Sequence, residues 1–293
     1  MLRLQAARCK TDLCRHVAFF AVDAAGQRPY ATPMQSANLN VMVKAARAAG
    51  RSLAKDFREV ENLQVSSKGA GDFVTRADIA AEKIVRDILM EARPNYGWVG
   101  EESEPVPGKD PTRRWLVDPL DGTTNFLHGQ PHWAVSIALE HKGEIVAGVV
   151  FDAAKEELFM AEKGQGAWLN TSRLRVSDRS KMTESIFVTG LPFGGRPNLP
   201  PLMQEIARVL PASAGVRSSG SAALDLAYVA AGRFEGYWER GTQPWDIAAG
   251  IILVRESGGL VEGLEKSAGP LAGKGILAAN AAIFETFSAT IRG

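Results

Sequence analysis

A chain of 293 residues with 45% hydrophobic residues can bury a large core, as one big domain or as two closely packed lobes. A net charge of +1, with no long Lys/Arg block or basic amphipathic helix, argues against a general nucleic-acid or membrane surface, and the longest apolar runs, such as 248–254, cannot span a bilayer. The 2 cysteines, Cys9 and Cys14, lie near the N-terminus, which argues against a disulfide framework or a Cys-based metal site and agrees with a reducing, cytoplasmic setting.

Residues 1–35 read as an extension outside the fold, with disorder expected. The apolar patch from Val17 to Val22 is cut off by Asp23 before it reaches the length of a secretory signal, and Met34 and Met42 are alternative starts. From Ser36 onward Leu39, Met42, Val43, Ala46, Ala49, Leu53 and Phe57 recur at three- and four-residue steps, which predicts a core-facing helix. The polar stretch from Gln64 to Phe73 reads as a mobile loop whose one cation is Lys68. Thr75 opens a second helix with the apolar stripe Ala81, Ile84, Val85, Ile88, Leu89 and Ala92, and its spacing from Asp78 is that of a capping box.

Gly97 to Gly100 reads as a short strand that delivers Glu101 and Glu102 to a proline-terminated loop; on its own, such a pair is a solvated acidic patch. The centre of the chain is 115–128, WLVDPLDGTTNFLH. Trp115, Leu116 and Val117 look like the end of a buried strand, Pro119 is expected to stop the ladder, and Gly122 permits a tight turn. Asp118 and Asp121 can then point at one place instead of alternating across a sheet. Carboxylate oxygens supplemented by a backbone carbonyl suit Mg²⁺, which keeps open positions for a phosphate, and Thr123, Thr124 and Asn125 follow at a helix start that favours an anion. An Asp-Gly pair alone would be an ordinary turn.

Further on, Trp133–Leu139 and Ile145–Phe151 predict a hairpin, and an antiparallel meander continues to Trp168. His128 and His132 have no Cys partners and read as hydrogen-bonding groups of a loop. Strands and helices then alternate: a helix over Leu202–Leu210, a strand over Gly215–Arg217, an Ala-rich helix over Ser221–Ala231 capped by Ser221, and a strand over Phe234–Glu239. Trp245-Asp246 begins the last long helix, ended by Gly258-Gly259; Asp246 in its first turn complements the helix dipole or, beside Asp118 and Asp121, completes a cation site. No repeat or linker separates 36–170, an α+β lobe carrying the acidic motifs, from 171–293, an α/β lobe, so the site is expected between tightly packed halves.

The central stretch resembles the D-P-[ILV]-D-G-T-T-N-F signature of the inositol monophosphatase family of Mg²⁺-dependent phosphomonoesterases. Gly100-Glu101-Glu102-Ser103 and Trp245-Asp246-Ile247-Ala248-Ala249-Gly250 resemble two more signatures of that family in the family's order, and the likeness runs from about Ala37 to the C-terminus. The resemblance implies an α/β fold in α-β-α-β-α layers, a homodimer and inhibition by lithium. It implies that Glu101, Asp118 and the Leu120 carbonyl hold one Mg²⁺, and that Asp118, Asp121 and Asp246 hold a second. It places Asp78 at the family's T-x-x-D position, where it and Thr123 activate the attacking water, and assigns phosphate to the amides of Gly122 and Thr123. Gly220, Ser221 and Ala222 would line the pocket for the substrate's ring, with Glu239 accepting from its hydroxyls. A lysine-bearing loop near Lys68 approaches the metals in the family. The expected substrate is a small phosphate ester, myo-inositol monophosphate first, with histidinol phosphate, fructose 1,6-bisphosphate or a 3′-phosphonucleotide as alternatives. A regulatory or RNA-associated binding protein on the same fold is the rival of another class.

Overall fold

The structure is a computed structural model that describes residues 35–59, 65–69, 72–192, 198–272 and 275–293, without the side chains of 65–69 and 72–74. Helix α1 (Ala37–Phe57) starts where expected: the Ser36 hydroxyl accepts from the Leu39 amide, and Leu39, Met42, Ala46, Ala49 and Leu53 are buried on one face. The stretch read as a loop is a hairpin instead, β1 (Val65–Gly69) paired antiparallel with β2 (Asp72–Thr75). Strand β1 is mostly Ser, Lys and Gly, and β2 sets Phe73 and Val74 side by side, so neither carries an alternating apolar pattern that announces the pairing. The Lys68 side chain lies outside the described residues. Thr75 caps α2 (Arg76–Ala92) as a full capping box with Asp78.

Seven strands form the first sheet in the order β3 (Gly97–Gly100), β4 (Arg113–Asp121), β5 (Ala134–His141), β6 (Glu144–Asp152), β7 (Glu157–Glu162), β8 (Gly166–Leu169) and β9 (Ser172–Arg173). All neighbours are antiparallel except β3 and β4. The β5–β6 turn is made by Lys142 at φ 55° and Gly143 at φ 80°, the paired left-handed residues that match the strands' twist. A five-stranded sheet follows in the order β11 (Gly215–Arg217), β10 (Ile186–Thr189), β12 (Gly236–Glu239), β14 (Ile276–Asn280) and β13 (Gly259–Gly263). Its first three strands are parallel and its last two antiparallel additions, and β13 and β14 had no counterpart in the reading of the sequence.

The helices cover both sheets in layers. Helices α1 and α2 pack on the outer face of the large sheet, around Trp98, Trp115, Trp133 and Leu120. Between the sheets lie α5 (Ala222–Ala230) and α6 (Pro244–Glu256), whose near-uniform apolar surfaces touch Leu116 and Val150 on one side and Tyr237 and Ala278 on the other. A helix apolar all round is what a layer sandwiched between two sheets needs. On the outer face of the small sheet, α4 (Leu199–Val209) and α7 (Phe284–Arg292) enclose Phe187, Trp238 and Phe287. Pro200 and Pro201 fall inside the first turn of α4, which starts before Leu202 because the first amides of a helix need no intrahelical partner. This is the expected α-β-α-β-α sandwich. Among the described residues, no helix is long and apolar enough to cross a membrane.

Candidate active site

The site is built on an irregularity in β4. The strand does not end before Pro119; it runs through Asp121, and Asp118 pairs with Ser136 while Asp121 pairs with Ala134. One extra residue is thus inserted opposite β5, a β-bulge that holds Pro119 and Leu120. In a regular strand residues three apart face opposite sides. The bulge cancels that alternation, and Asp118 and Asp121 line the same pocket. Pro119 has no amide to lose, and the Leu120 amide, displaced from the ladder, donates to Asp118 Oδ1 at 3.0 Å.

Four further elements converge there. Strand β3 lies parallel to β4, and the Glu101 amide extends that ladder by donating to Val117 O, so Glu101 stands beside Asp118. Behind it, Glu82 of α2 accepts from the Glu102 amide at 2.8 Å, and its carboxylate fills the space beside Gly100, where a Cβ would lie 2.5 Å from Oε2. Helix α3 (Thr123–Leu127) begins at Gly122, whose φ of 97° favours glycine and whose missing Cβ leaves room for the carbonyls of His132 and Gly220. At the start of α5, Ser221 Oγ and the Ala223 amide donate to Asp121 Oδ2 at 2.5 and 2.7 Å. Asp246 lies in the first turn of α6 and accepts from the Gln243 amide at 2.7 Å, while Ser136 Oγ donates to Trp245 O and ties that turn to β5.

The resulting cavity of about 430 Å³ is lined by Glu101, Asp118, Leu120, Asp121, Asp246 and Glu239, with Gly122, Thr123, Gly220, Ser221 and Ala222. Of the described residues to which the resemblance gives a metal, catalytic or substrate role, Asp78 is absent from the lining, as are Glu102, His128 and His132, which the sequence also singled out. Asp78 is connected through Thr123: Thr123 Oγ1 lies 3.2 Å from Asp78 Oδ1 and 3.1 Å from Leu120 O, and Thr75 Oγ1 donates to Asp78 Oδ2 at 2.5 Å. Asp78 therefore caps α2 and faces Thr123 at once, so the two readings of it are compatible. Asp246 and Ser221 likewise combine a helix-terminal role with a place in the lining.

The electrostatics ask for a cation. Asp118 is 3% exposed and Asp121 9%, and among the described residues no basic side chain pairs with Asp118, Asp121 or Asp246. Burial, and then the charges of Glu101, Asp121 and Asp246, push Asp118 well above the usual carboxylate range. Burial, and then Asp121, do the same to Asp246. Asp121 is pushed up by burial to about 6, against the hydrogen bonds from Ser221 and Ala223. Asp78 is raised by burial, opposed by Thr75 and Thr123. Buried acids crowded together are stable only with a proton or a positive ion between them, and an all-oxygen donor set fits Mg²⁺. Among the described residues no three Asp, Glu, His or Cys side chains form a ready-made metal cage. Asp118, Asp121 and Asp246 each turn one oxygen to a backbone amide, which fixes the carboxylate and leaves its other oxygen for an ion.

Asn125 does something the sequence did not suggest. Its Nδ2 lies 2.8 Å from both His132 O and Ser219 O, stapling the turn after Asp121 to the loop before α5. His132 was expected to bond through its ring. Instead its Nε2 has no partner, burial followed by Lys155 pushes the imidazole down to about 4, and the ring packs edge-on to Tyr228. Gln130, Gly190 and Leu191 also line the cavity without a sequence signal, because only the tertiary fold brings them to it.

Comparison with known proteins agrees with this architecture. Residues 34–292 match the sequence model of the Inositol monophosphatase family. The chain is 54% identical to the inositol-1-monophosphatase of Rhizobium meliloti over 84% of its length and 92% of that protein's. It is 42% identical to the Nus factor SuhB of Escherichia coli K12, over 87% of its length and 95% of that protein's. The crystal structure of the extragenic suppressor protein suhB from Bartonella henselae superposes with a TM-score of 0.85 at 49% identity, covering 88% of this chain and 99% of that one. The layered fold is the one seen in that structure, and the relatives named inositol-1-monophosphatase make this chain a phosphatase. The chain belongs to the inositol monophosphatase family.

Proposed function

We propose that this protein is a Mg²⁺-dependent phosphomonoesterase that hydrolyses myo-inositol monophosphate to inositol and phosphate. The observation that carries the reading is the bulge that aims Asp118 and Asp121 into one pocket with Glu101 and Asp246, with no basic partner for Asp118, Asp121 or Asp246 among the described residues. Glu101, Asp118 and the Leu120 carbonyl would hold one ion, and Asp118, Asp121 and Asp246 another. Mg²⁺ bound there supplies Lewis-acid chemistry, offsetting the phosphate's charge and making water a stronger nucleophile at neutral pH.

The protein's own groups do the rest. Thr123 Oγ1 orients the attacking water and Asp78, in reach of that hydroxyl, takes up its proton; burial, by raising Asp78, suits it to the task. The amides of Gly122 and Thr123, at a helix start where amides lack intrahelical partners, bind the phosphate. Gly220, Ser221 and Ala222 face the ring and Glu239 accepts from its hydroxyls. The bond from phosphorus to the ester oxygen breaks as the bond to the water oxygen forms, and the departing alkoxide takes a proton from solvent water, whose hydroxide is neutralised by the proton that Asp78 later releases; no phosphoenzyme is required.

The test is phosphate release from myo-inositol 1-phosphate with and without Mg²⁺, beside histidinol phosphate and fructose 1,6-bisphosphate. Mg²⁺-dependent release that favours the inositol ester is expected, and preference for another ester would move the substrate while keeping the chemistry. The relatives named Nus factor SuhB favour a second reading, in which this chain is a regulatory or RNA-associated binding protein on the same fold. Salt-dependent RNA binding with no phosphatase activity would replace the first reading with the second.

A further inference from the structure

The Glu239 carboxylate is held from two sides by groups outside the family motifs quoted above. Tyr237 and Glu239 are two apart on β12 and so share a face of the strand, and Tyr237 Oη donates to Glu239 Oε2 at 2.6 Å. Tyr237 is fully buried; burial and the adjacent Glu239 charge push its phenol well above the ordinary value, so it keeps its proton and serves as donor. On the other side the Gly190 amide donates to Glu239. A Cβ at Gly190 would lie 2.0 Å from Glu239 Oε2 and 2.3 Å from Oε1, so the carboxylate occupies the space of the missing side chain. Thr189 Oγ1 donates to Trp238 O at 2.6 Å, which locks the end of β10 against β12 and keeps Gly190 in place.

Glu239 has no basic partner among the described residues; the neighbouring Arg240 is turned to Glu205. Two donors leave acceptor capacity on a carboxylate, which has about four lone-pair sites, and Glu239 and Gly190 both line the cavity. We propose that Tyr237 and Gly190 form a clamp that fixes Glu239 as a hydroxyl acceptor, making Tyr237 a positioning residue that sets preference for polyhydroxylated phosphate esters over simple ones. The inference rests on the phosphomonoesterase reading and adds the source of its alcohol selectivity. A site built to accept from a hydroxyl discriminates strongly only if the acceptor is held in place, since an acceptor free to swing loses the benefit to entropy.

The test is steady-state kinetics of the Mg²⁺-loaded full chain on myo-inositol 1-phosphate and 4-nitrophenyl phosphate, comparing the wild type with Tyr237→Phe and Gly190→Ala. Tyr237→Phe should raise KM for the inositol ester ~2–12-fold, bounded by the one hydrogen bond that a loosened Glu239 makes to the substrate hydroxyl, and change kcat/KM for the aryl ester less than ~2-fold. Gly190→Ala, which displaces the carboxylate by a different route, should also raise KM for the inositol ester. Equal losses on both esters, or no loss on either, overturn the clamp. A wild type that hydrolyses the aryl ester but not the inositol ester refutes the inositol reading alone; the same comparison on glycerol 2-phosphate then decides the clamp, and absence of the split there overturns it.

Discussion

Asp121→Asn should make the metal-free protein more stable while removing its response to Mg²⁺. Burial raises the Asp121 pKa from 3.8 to about 6 even though Ser221 and Ala223 donate to it. The native state therefore holds this proton more tightly than the unfolded chain does. Stability contributed by the group is gained as pH falls from about 6 toward 4, and above about 6 the buried charge is a standing cost. A shift of about two units corresponds to roughly 3 kcal/mol at pH 7. Asparagine keeps an oxygen for Ser221 and Ala223 and removes the charge. In chelator at pH 7 the variant should melt roughly 6–12 °C above the wild type, at ~2–4 °C per kcal/mol for a domain of this size. The difference should shrink toward pH 4. His132, pushed down to about 4, costs stability as pH falls below 6.5, but it does so in both proteins and cancels in the comparison. Calorimetry with saturating Mg²⁺ completes the test: at 100 times Kd the wild type gains about 2.7 kcal/mol, and the variant should gain little. A variant that melts below the wild type in chelator at pH 7, or that Mg²⁺ stabilises equally, refutes the reasoning.

Asp118→Asn should abolish Mg²⁺-dependent phosphate release with an unchanged circular dichroism spectrum; retained turnover would remove Asp118 from the cation site. Thr123→Val, which deletes the hydroxyl between Asp78 and the Leu120 carbonyl, should lower kcat ~10²–10⁴-fold with little change in KM, and a loss under tenfold would exclude it from proton transfer. Asn125→Ala leaves the His132 and Ser219 carbonyls without their donor and should cost about 1–3 kcal/mol in denaturant unfolding; an unchanged midpoint would show that the staple is dispensable. Gly250→Ala puts a Cβ 2.4 Å from Leu226 Cβ where α6 meets α5, and the overpacking should lower stability by about 1–3 kcal/mol despite alanine's better helix propensity. A melting temperature at or above that of the wild type would refute it.

Helices α1 and α2 were readable from their apolar periodicity and α5 and α6 from their apolar runs, with the caps Ser36, Thr75 and Ser221, because these are local properties. The acids of the site were readable too, as residue types in a recognisable order: Glu101, Asp118, Asp121 and Asp246 all line the one cavity. Hidden were β1 and β2, whose residues carry no polar-apolar alternation, and β13 and β14, which are defined by the neighbours they pair with. The bulge was misread as a strand end, because Pro119 looks the same in either case and only the pairing partner, Ser136 or Ala134, tells how many residues stand opposite.

The sequence by itself determined the amphipathic elements, the helix caps and the inventory of carboxylates, since these depend on neighbours within a few residues. Tertiary structure alone decided that Ser221 would donate to Asp121 from 100 residues away, that Asn125 would bind the Ser219 carbonyl, and that Gly190 would make room for Glu239. Those contacts join segments whose separation along the chain says nothing of their distance in space, and they form only when α5 and α6 are pressed between the two sheets.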